Sequence, residues 1–210
     1  MSVRTIVFGM AVAAALVAGC SSKESGSPTG TPGGSGSQPT DDPTSTSNPG
    51  GSGGAPKVTD PLDASKFISQ PCGAIAPDQL QALHLPAQGK PDTDSETAKT
   101  AGPGCSWFDR DAGSGVEIGF LTANKNGLSD TYQGKDRFKG YFEPTEVDGY
   151  PAVLNDIQDY RSDGTCNITV GISDTSEFRV GVQDTKLGVK SCDRAKEAAA
   201  AVIKTLKKGA

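Results

Sequence analysis

The sequence predicts an α+β domain, in which a mostly antiparallel sheet of about four to six strands is covered by N-terminal and C-terminal helices. Two patterns indicate this fold class. Apolar residues alternate with polar or small ones over residues 166–182, and they recur at helical spacing over 191–208. Four cysteines in the same part of the chain predict two disulfides.

The first predicted elements are a short helix and a hairpin. A proline followed by an aspartate suits the first turn of a helix over residues 77–83, because proline needs no donor there and an acid complements the helix dipole. Polar turn-forming residues over 88–104 predict a loop. Apolar stretches at 105–108 and 116–121, joined by an acidic turn that contains glycine, predict two paired strands.

The middle of the chain carries weaker signals. Leu128 and Tyr132 are four residues apart and favour a helix within 124–132. The segment 134–144 is polar with scattered aromatic residues, and an Asp-Gly turn within 147–154 leads into a predicted strand.

The last third of the domain carries the clearest signals. Two alternating stretches, 166–172 and 178–182, predict a second hairpin with one buried face. Ser191 can cap a helix that runs through Lys208, and lysines near its end complement the helix dipole. The apolar stripe of this helix consists of Ala195, Ala199, Val202, Ile203 and Leu206.

The cysteines of the domain, Cys72, Cys105, Cys166 and Cys192, allow three pairings. We favour Cys72–Cys105 and Cys166–Cys192, because each pair closes a loop of roughly 25–35 residues within one half of the domain. The chain has no C-x-x-C spacing, and its one histidine, His84, is not near a cysteine pair in sequence. A zinc site is therefore disfavoured, and we expect no metal and no cofactor.

The N-terminus has the pattern of a bacterial lipoprotein signal peptide: a basic start, an apolar run, and small residues immediately before Cys20. We therefore expect a signal peptide over 1–19, a lipidated Cys20 with a disordered linker over 20–60, and one domain over 61–210. The apolar run of about a dozen residues is shorter than the ~20 that a membrane-spanning helix needs. An ordinary secretory signal, in which Cys20 has no role, is the other alternative.

Linker composition and net charge restrict the environment of the domain. Of the 36 residues from Ser21 to Pro56, 29 are Gly, Ser, Pro or Thr, so this segment has too little apolar surface to fold. A flexible chain of that length spans roughly 35 Å, either as a plain spacer or as a carrier of O-linked glycans on its threonines. Without residues 1–19 the chain has 19 basic and 25 acidic residues, a net charge of −6, which gives no electrostatic footprint for nucleic acid.

Several motifs of the domain resemble a known family. They are Gln70-Pro71-Cys72, Pro103-Gly104-Cys105-Ser106-Trp107, Gly149-Tyr150-Pro151-Ala152-Val153 and Cys192-Asp193-Arg194-Ala195. Together with the Cys20 motif and the linker, they resemble a family of small actinobacterial cell-envelope lipoproteins over most of residues 68–207. The resemblance implies an envelope location and this fold. Because the domain of that family is one of unknown function, it implies no catalytic residue.

The sequence offers few candidate catalytic residues, and we expect that none of them is catalytic. His84 has no nucleophile nearby in sequence, which favours a structural or surface histidine over a catalytic one. The segment 109–113 lacks the full ligand set of a calcium loop and predicts a hydrated turn. Glycoside hydrolysis needs two carboxylates at a defined separation, and no pattern in the sequence sets two acids in that way.

Aromatic residues are the remaining candidates for a ligand site. Trp107, Tyr141, Phe142 and Tyr150 cluster around the predicted central loops and could line a groove for a glycan, a lipid or a peptide. The chain has only 12 aromatic residues, so packing in the core is the alternative for these four.

These observations favour a non-enzymatic, monomeric lipoprotein that binds an envelope ligand or protein. Acyl chains on Cys20, palmitate among them, would hold it to the extracytoplasmic face of the cell membrane. The alternative function is that of a structural or accessory subunit of an envelope complex. A cell-wall hydrolase is the third and least favoured function.

Overall fold

The described part of the chain is residues 54–209, for which the structure is a computed structural model. The signal peptide, Cys20 and most of the predicted linker lie outside these residues. The described chain contains one seven-stranded sheet in the order β1-β2-β3-β7-β6-β5-β4, and all its neighbouring strands are antiparallel. The strands are β1 (Lys90–Asp92), β2 (Gly104–Asp109), β3 (Ser114–Phe120), β4 (Tyr141–Val147), β5 (Tyr150–Asp156), β6 (Thr165–Ser173) and β7 (Ser176–Asp184).

Five α-helices accompany the sheet. They are α1 (Ser65–Ser69), α2 (Pro77–Ala82), α3 (Glu96–Thr100), α4 (Leu128–Gln133) and α5 (Ser191–Gly209). Short 3₁₀ turns lie at Pro71–Ala74, Lys135–Arg137, Arg161–Asp163 and Gly188–Lys190. Of the helices in residues 54–209, none combines the length and the apolar character that a bilayer span requires. The α+β class is thus confirmed.

The core lies between α5 and one face of the sheet. The alternating apolar residues of β6 and β7 point to this face, with Ile168 directly opposite Val180. The predicted apolar stripe of α5 is completely buried against them. Each large side chain buried in this way stabilises the fold by about 1.5–3 kcal/mol, so the β6–β7 hairpin and α5 form the centre of the domain.

The sheet has more strands than the four to six that the sequence predicts. β1 and α3 lie in the segment 88–104, for which the sequence predicts a loop, and β4 begins in the polar segment 134–144. β1 and β4 are the two edges of the sheet. Edge strands are half exposed and therefore lack strong apolar alternation, and β4 even contains Pro144, a residue that edge strands tolerate.

The N-terminal boundary of the packed chain also differs from the prediction. Ala55, inside the predicted linker 20–60, is buried in a small cluster with Leu128 and Val153. The amide of Leu62 donates a hydrogen bond of 2.8 Å to the carbonyl oxygen of Ile172. Isolated apolar residues in a Gly/Ser/Pro-rich segment give no periodic signal, so the sequence predicts a later boundary than the structure shows.

Two disulfides connect helical segments to the sheet. Cys72 in the first 3₁₀ turn is bonded to Cys105 in β2, and Cys166 in β6 is bonded to Cys192 in the first turn of α5. These are the two pairs that the sequence analysis favours.

Candidate functional site

The four aromatic residues of the predicted groove do not form one. Trp107, Tyr141 and Tyr150 are buried in the main core. Phe142 belongs to the separate small cluster on the other side of the sheet, where its ring packs edge to face on Tyr132 at 5.1 Å between centroids. Strand alternation thus turns these side chains inward or onto opposite faces, which leaves no shared aromatic surface for a ligand.

The other chemically suggestive residues lie at turns. His84 is exposed at the end of α2, where its backbone has a positive φ of 50°. The Asp109 carboxylate accepts hydrogen bonds from the amides of Asp111 at 2.9 Å and Ala112 at 3.0 Å, which closes the β2–β3 turn. Among residues 54–209, no group of three His, Cys, Asp or Glu side chains is placed to hold a metal ion.

A cavity of about 270 Å³ lies at one end of the sheet, between α1, the β6–β7 turn and the loop that follows β3. Its apolar wall includes Ile68, Phe120 and Ile172, and Ile68 remains 40% exposed. Asn124, Lys125 and Glu177 line the polar side. An apolar cavity with a few converging polar groups is the usual form of a small-molecule site.

Glu177 is the unusual residue of this cavity, because its side chain is only 3% exposed. The hydroxyl oxygen of Thr131 lies 2.9 Å from both carboxyl oxygens, and the Asn124 side-chain amide donates a hydrogen bond to one of them. Charged groups are rarely buried unless hydrogen bonds compensate them. Glu177 is therefore held in one position by α4 and by the loop after β3.

Burial changes the ionisation of this carboxyl. It raises the pKa of Glu177 from 4.5 to about 7, the hydrogen bonds from Asn124 and Thr131 oppose that rise, and the negative charge of Asp130 adds to it. Below neutral pH the carboxyl is mostly protonated, so it can donate as well as accept a hydrogen bond. Carboxyls with such perturbed pKa values concentrate at functional sites.

The loop that carries Asn124 is held in place by hydrogen bonds to Asp130 in α4. The Asp130 carboxylate accepts hydrogen bonds from the amides of Lys125 at 2.7 Å and Asn126 at 3.0 Å and from the Asn126 side chain at 2.9 Å. These bonds, that of the Asn126 side chain above all, hold the pKa of Asp130 below its usual value. The loop position, and with it the polar side of the cavity, is thus preformed.

Sequence reasoning missed Glu177, Asn124 and Thr131. In the sequence, Glu177 is a polar residue of an alternating strand, which is typical of a solvated sheet face. The one sequence feature that could have indicated a buried Glu177 is the weak helical pattern at 124–132. A helix that packs on the face of the sheet opposite the core would bury a polar side chain on that face.

The fold and the cavity define the class: a disulfide-linked α+β domain with a partly apolar cavity. The chain belongs to the DUF3558 family, described as proteins of unknown function, and the sequence model of this family matches residues 15–205. No curated protein matches the chain, and no solved structure does.

Proposed function

We propose that this protein is a membrane-anchored extracytoplasmic lipoprotein that binds a small envelope ligand, without catalysis, in the cavity beside Glu177. One observation carries the proposal. A buried carboxyl is held by Asn124 and Thr131 at an apolar-walled cavity, so the site is ready before any ligand arrives. Preorganisation of this kind lowers the entropic cost of binding.

The lining of the cavity indicates the chemistry of its ligand. Ile68, Phe120 and Ile172 suit an apolar body, whereas Asn124 and Lys125 suit a hydrogen-bonding head group. A volume of about 270 Å³ is near the lower end for small-molecule sites, ~300–1,000 Å³. The proposed ligand is therefore a small amphipathic molecule or one end of a longer one.

Native mass spectrometry of the full chain, purified from a host close to its own, tests this site. We expect a reproducible bound mass in the wild-type protein that is lost in Ile68→Trp, because the indole fills the mouth of the cavity. Ile157→Trp is the matched control, since Ile157 is an exposed isoleucine outside the cavity. A wild-type protein without bound mass, or a bound mass that persists in Ile68→Trp, would contradict the proposal.

The anchor is tested separately by Cys20→Ala. The basic start, the apolar run and the small residues before Cys20 support this role. We expect Cys20→Ala to lose incorporation of labelled palmitate and to be released or mis-sorted. The melting temperature of the domain should stay unchanged, because the predicted linker separates Cys20 from the domain. Ser21→Ala is the control and should stay labelled, whereas labelled Cys20→Ala protein would rule out this anchor.

A structural or accessory subunit is the second candidate function. The observation that favours it is apolar exposure beyond the C-terminal ends of β5 and β7, which lie at the same end of the sheet, where Ile157 and Val189 are 63% and 70% exposed. Exposed apolar side chains of this kind occur in protein interfaces. A ligand-free protein that cross-links through Val189 in intact envelopes would favour this role over ligand binding.

A further inference from the structure

The sheet face opposite α5 carries a groove that is lined by both polar and apolar residues. Strand register places Ser106, Glu117, Gly181 and Asn167 side by side on β2, β3, β7 and β6, in one row across this face. Two cavities of about 320 and 200 Å³ lie along it, and they share Glu117, Asn167 and Gly181. The two cavities therefore form one continuous groove, which spans four strands, roughly 14 Å across.

The floor of this groove consists partly of exposed backbone, because glycines occupy it. A Cβ atom at Gly119 would meet no atom within 4 Å, so this position opens directly into the groove. At Gly181, a Cβ would lie 2.8 Å from the side-chain oxygen of Asn167, so that oxygen lies over the floor. A flat ligand can thus approach the sheet backbone closely beside a hydrogen-bond acceptor.

The polar side chains of the groove are held in place by Asp156. Its carboxylate accepts a hydrogen bond from the Asn167 amide and lies 4.0 Å from the Arg179 guanidinium. Asn167 and Arg179 both line the larger cavity, next to Glu117. The groove therefore presents planar amide, guanidinium and carboxylate groups, each of which can bond two neighbouring hydroxyls at once.

An exposed aromatic ring borders the other end of the groove. Phe108 is 47% exposed and lines the smaller cavity. Its ring packs over Gly115, the residue opposite it on β3. One ring face is thus supported by the sheet, which leaves a fixed apolar platform of the size of one ring.

The groove fits one ligand class better than the others. Its charges are mixed, because Arg179, Glu117 and Asp92 all line the larger cavity, and this matches neither a polyanion nor a polycation. Its lining combines apolar residues and glycine with the charged side chains of Glu117 and Arg179, whereas the centre of a protein interface is depleted of charged residues. Sugars combine adjacent hydroxyls with an apolar ring face. We propose that this groove binds two or three units of an uncharged polysaccharide, independently of the cavity beside Glu177.

The test is isothermal titration of the full chain with maltohexaose, cellohexaose and mannan, and with heparin as a charged comparison. We expect binding to at least one neutral glycan. Gly119→Trp should weaken it more than tenfold by filling the groove, and Phe108→Ala should weaken it about tenfold by removing the platform. Val189→Ala, an exposed apolar residue outside the groove, is the matched control and should bind as the wild type does.

Further variants test the groove if Gly119→Trp does not fold, and they distinguish it from the cavity beside Glu177. If Gly119→Trp fails to fold, as judged by its melting temperature, Asn167→Ala and Phe108→Ala take its place. Ile68→Trp should bind glycan normally, which separates this groove from the cavity beside Glu177. Absence of binding to all three neutral glycans, tighter binding of heparin, or undiminished binding in the folded groove variants would overturn the proposal.

Discussion

Replacing Cys166 and Cys192 together with alanine is expected to lower the free energy of unfolding by about 3.5 kcal/mol. The bridge joins residues 26 apart, and its loss releases conformational entropy in the unfolded chain. It also connects the fully buried Cys166 to the first turn of α5, the helix that covers the core. Urea denaturation measures the change, and for a domain of this size the melting temperature should fall by about 7–14 °C.

The matched comparison is the double variant Cys72→Ala, Cys105→Ala. Its bridge joins residues 33 apart, so the chain-entropy argument predicts a similar loss, about 3.7 kcal/mol. A larger loss in the Cys166 and Cys192 variant would show that docking of α5 adds to the entropic effect. Unchanged stability in that variant would contradict the role assigned to the bridge.

The elements that could be predicted from the sequence are those that bury one complete face. In β6 and β7 every second residue is apolar, because α5 covers one side of these strands. In α5 the apolar residues follow the helical period for the same reason. Burial imposes a period on such segments, and this period is visible without a structure.

Elements that depend on their neighbours gave no such signal. β1 has three residues and exists because it pairs with β2 at the sheet edge. α3 has five residues, and its first turn is capped by Ser95, whose hydroxyl accepts a hydrogen bond of 3.1 Å from the Ala98 amide. Helices this short are marginal in water and need tertiary contacts, which local sequence does not contain.

The candidate sites show the same limit. Trp107 and Tyr150 lie near predicted loops, which predicts a groove, yet their strand register turns them into the core. Glu177 alternates as a solvated residue would, and α4 together with the loop after β3 buries it. Which face of a sheet a short helix covers is a property of the whole fold, so these assignments required the structure.

Glu177→Gln is expected to stabilise the protein by about 3 kcal/mol at pH 8 and to have little effect at pH 4. The folded pKa of Glu177, about 7, lies above the value of 4.5 for an unperturbed carboxyl. The folded state therefore binds the proton more tightly, so the stability that protonated Glu177 contributes is complete below pH 4.5 and lost as the pH rises through 7. A difference of this size in pKa corresponds to about 3 kcal/mol. Glutamine removes the ionisation and keeps an acceptor for Asn124 and a donor for Thr131.

Urea denaturation of the wild-type and Glu177→Gln proteins between pH 4 and pH 8.5 measures this difference directly. Titrating groups that do not interact with Glu177 are present in both chains, so their contributions cancel in the comparison. Glu117→Gln is the matched control, because this glutamate is exposed on β3 and its replacement should change stability little at either pH. A stabilisation by Glu177→Gln that is equal at pH 4 and pH 8 would show that burial does not disfavour the ionised carboxyl. The Glu177 cavity would then lose the property that distinguishes it from an ordinary surface pocket.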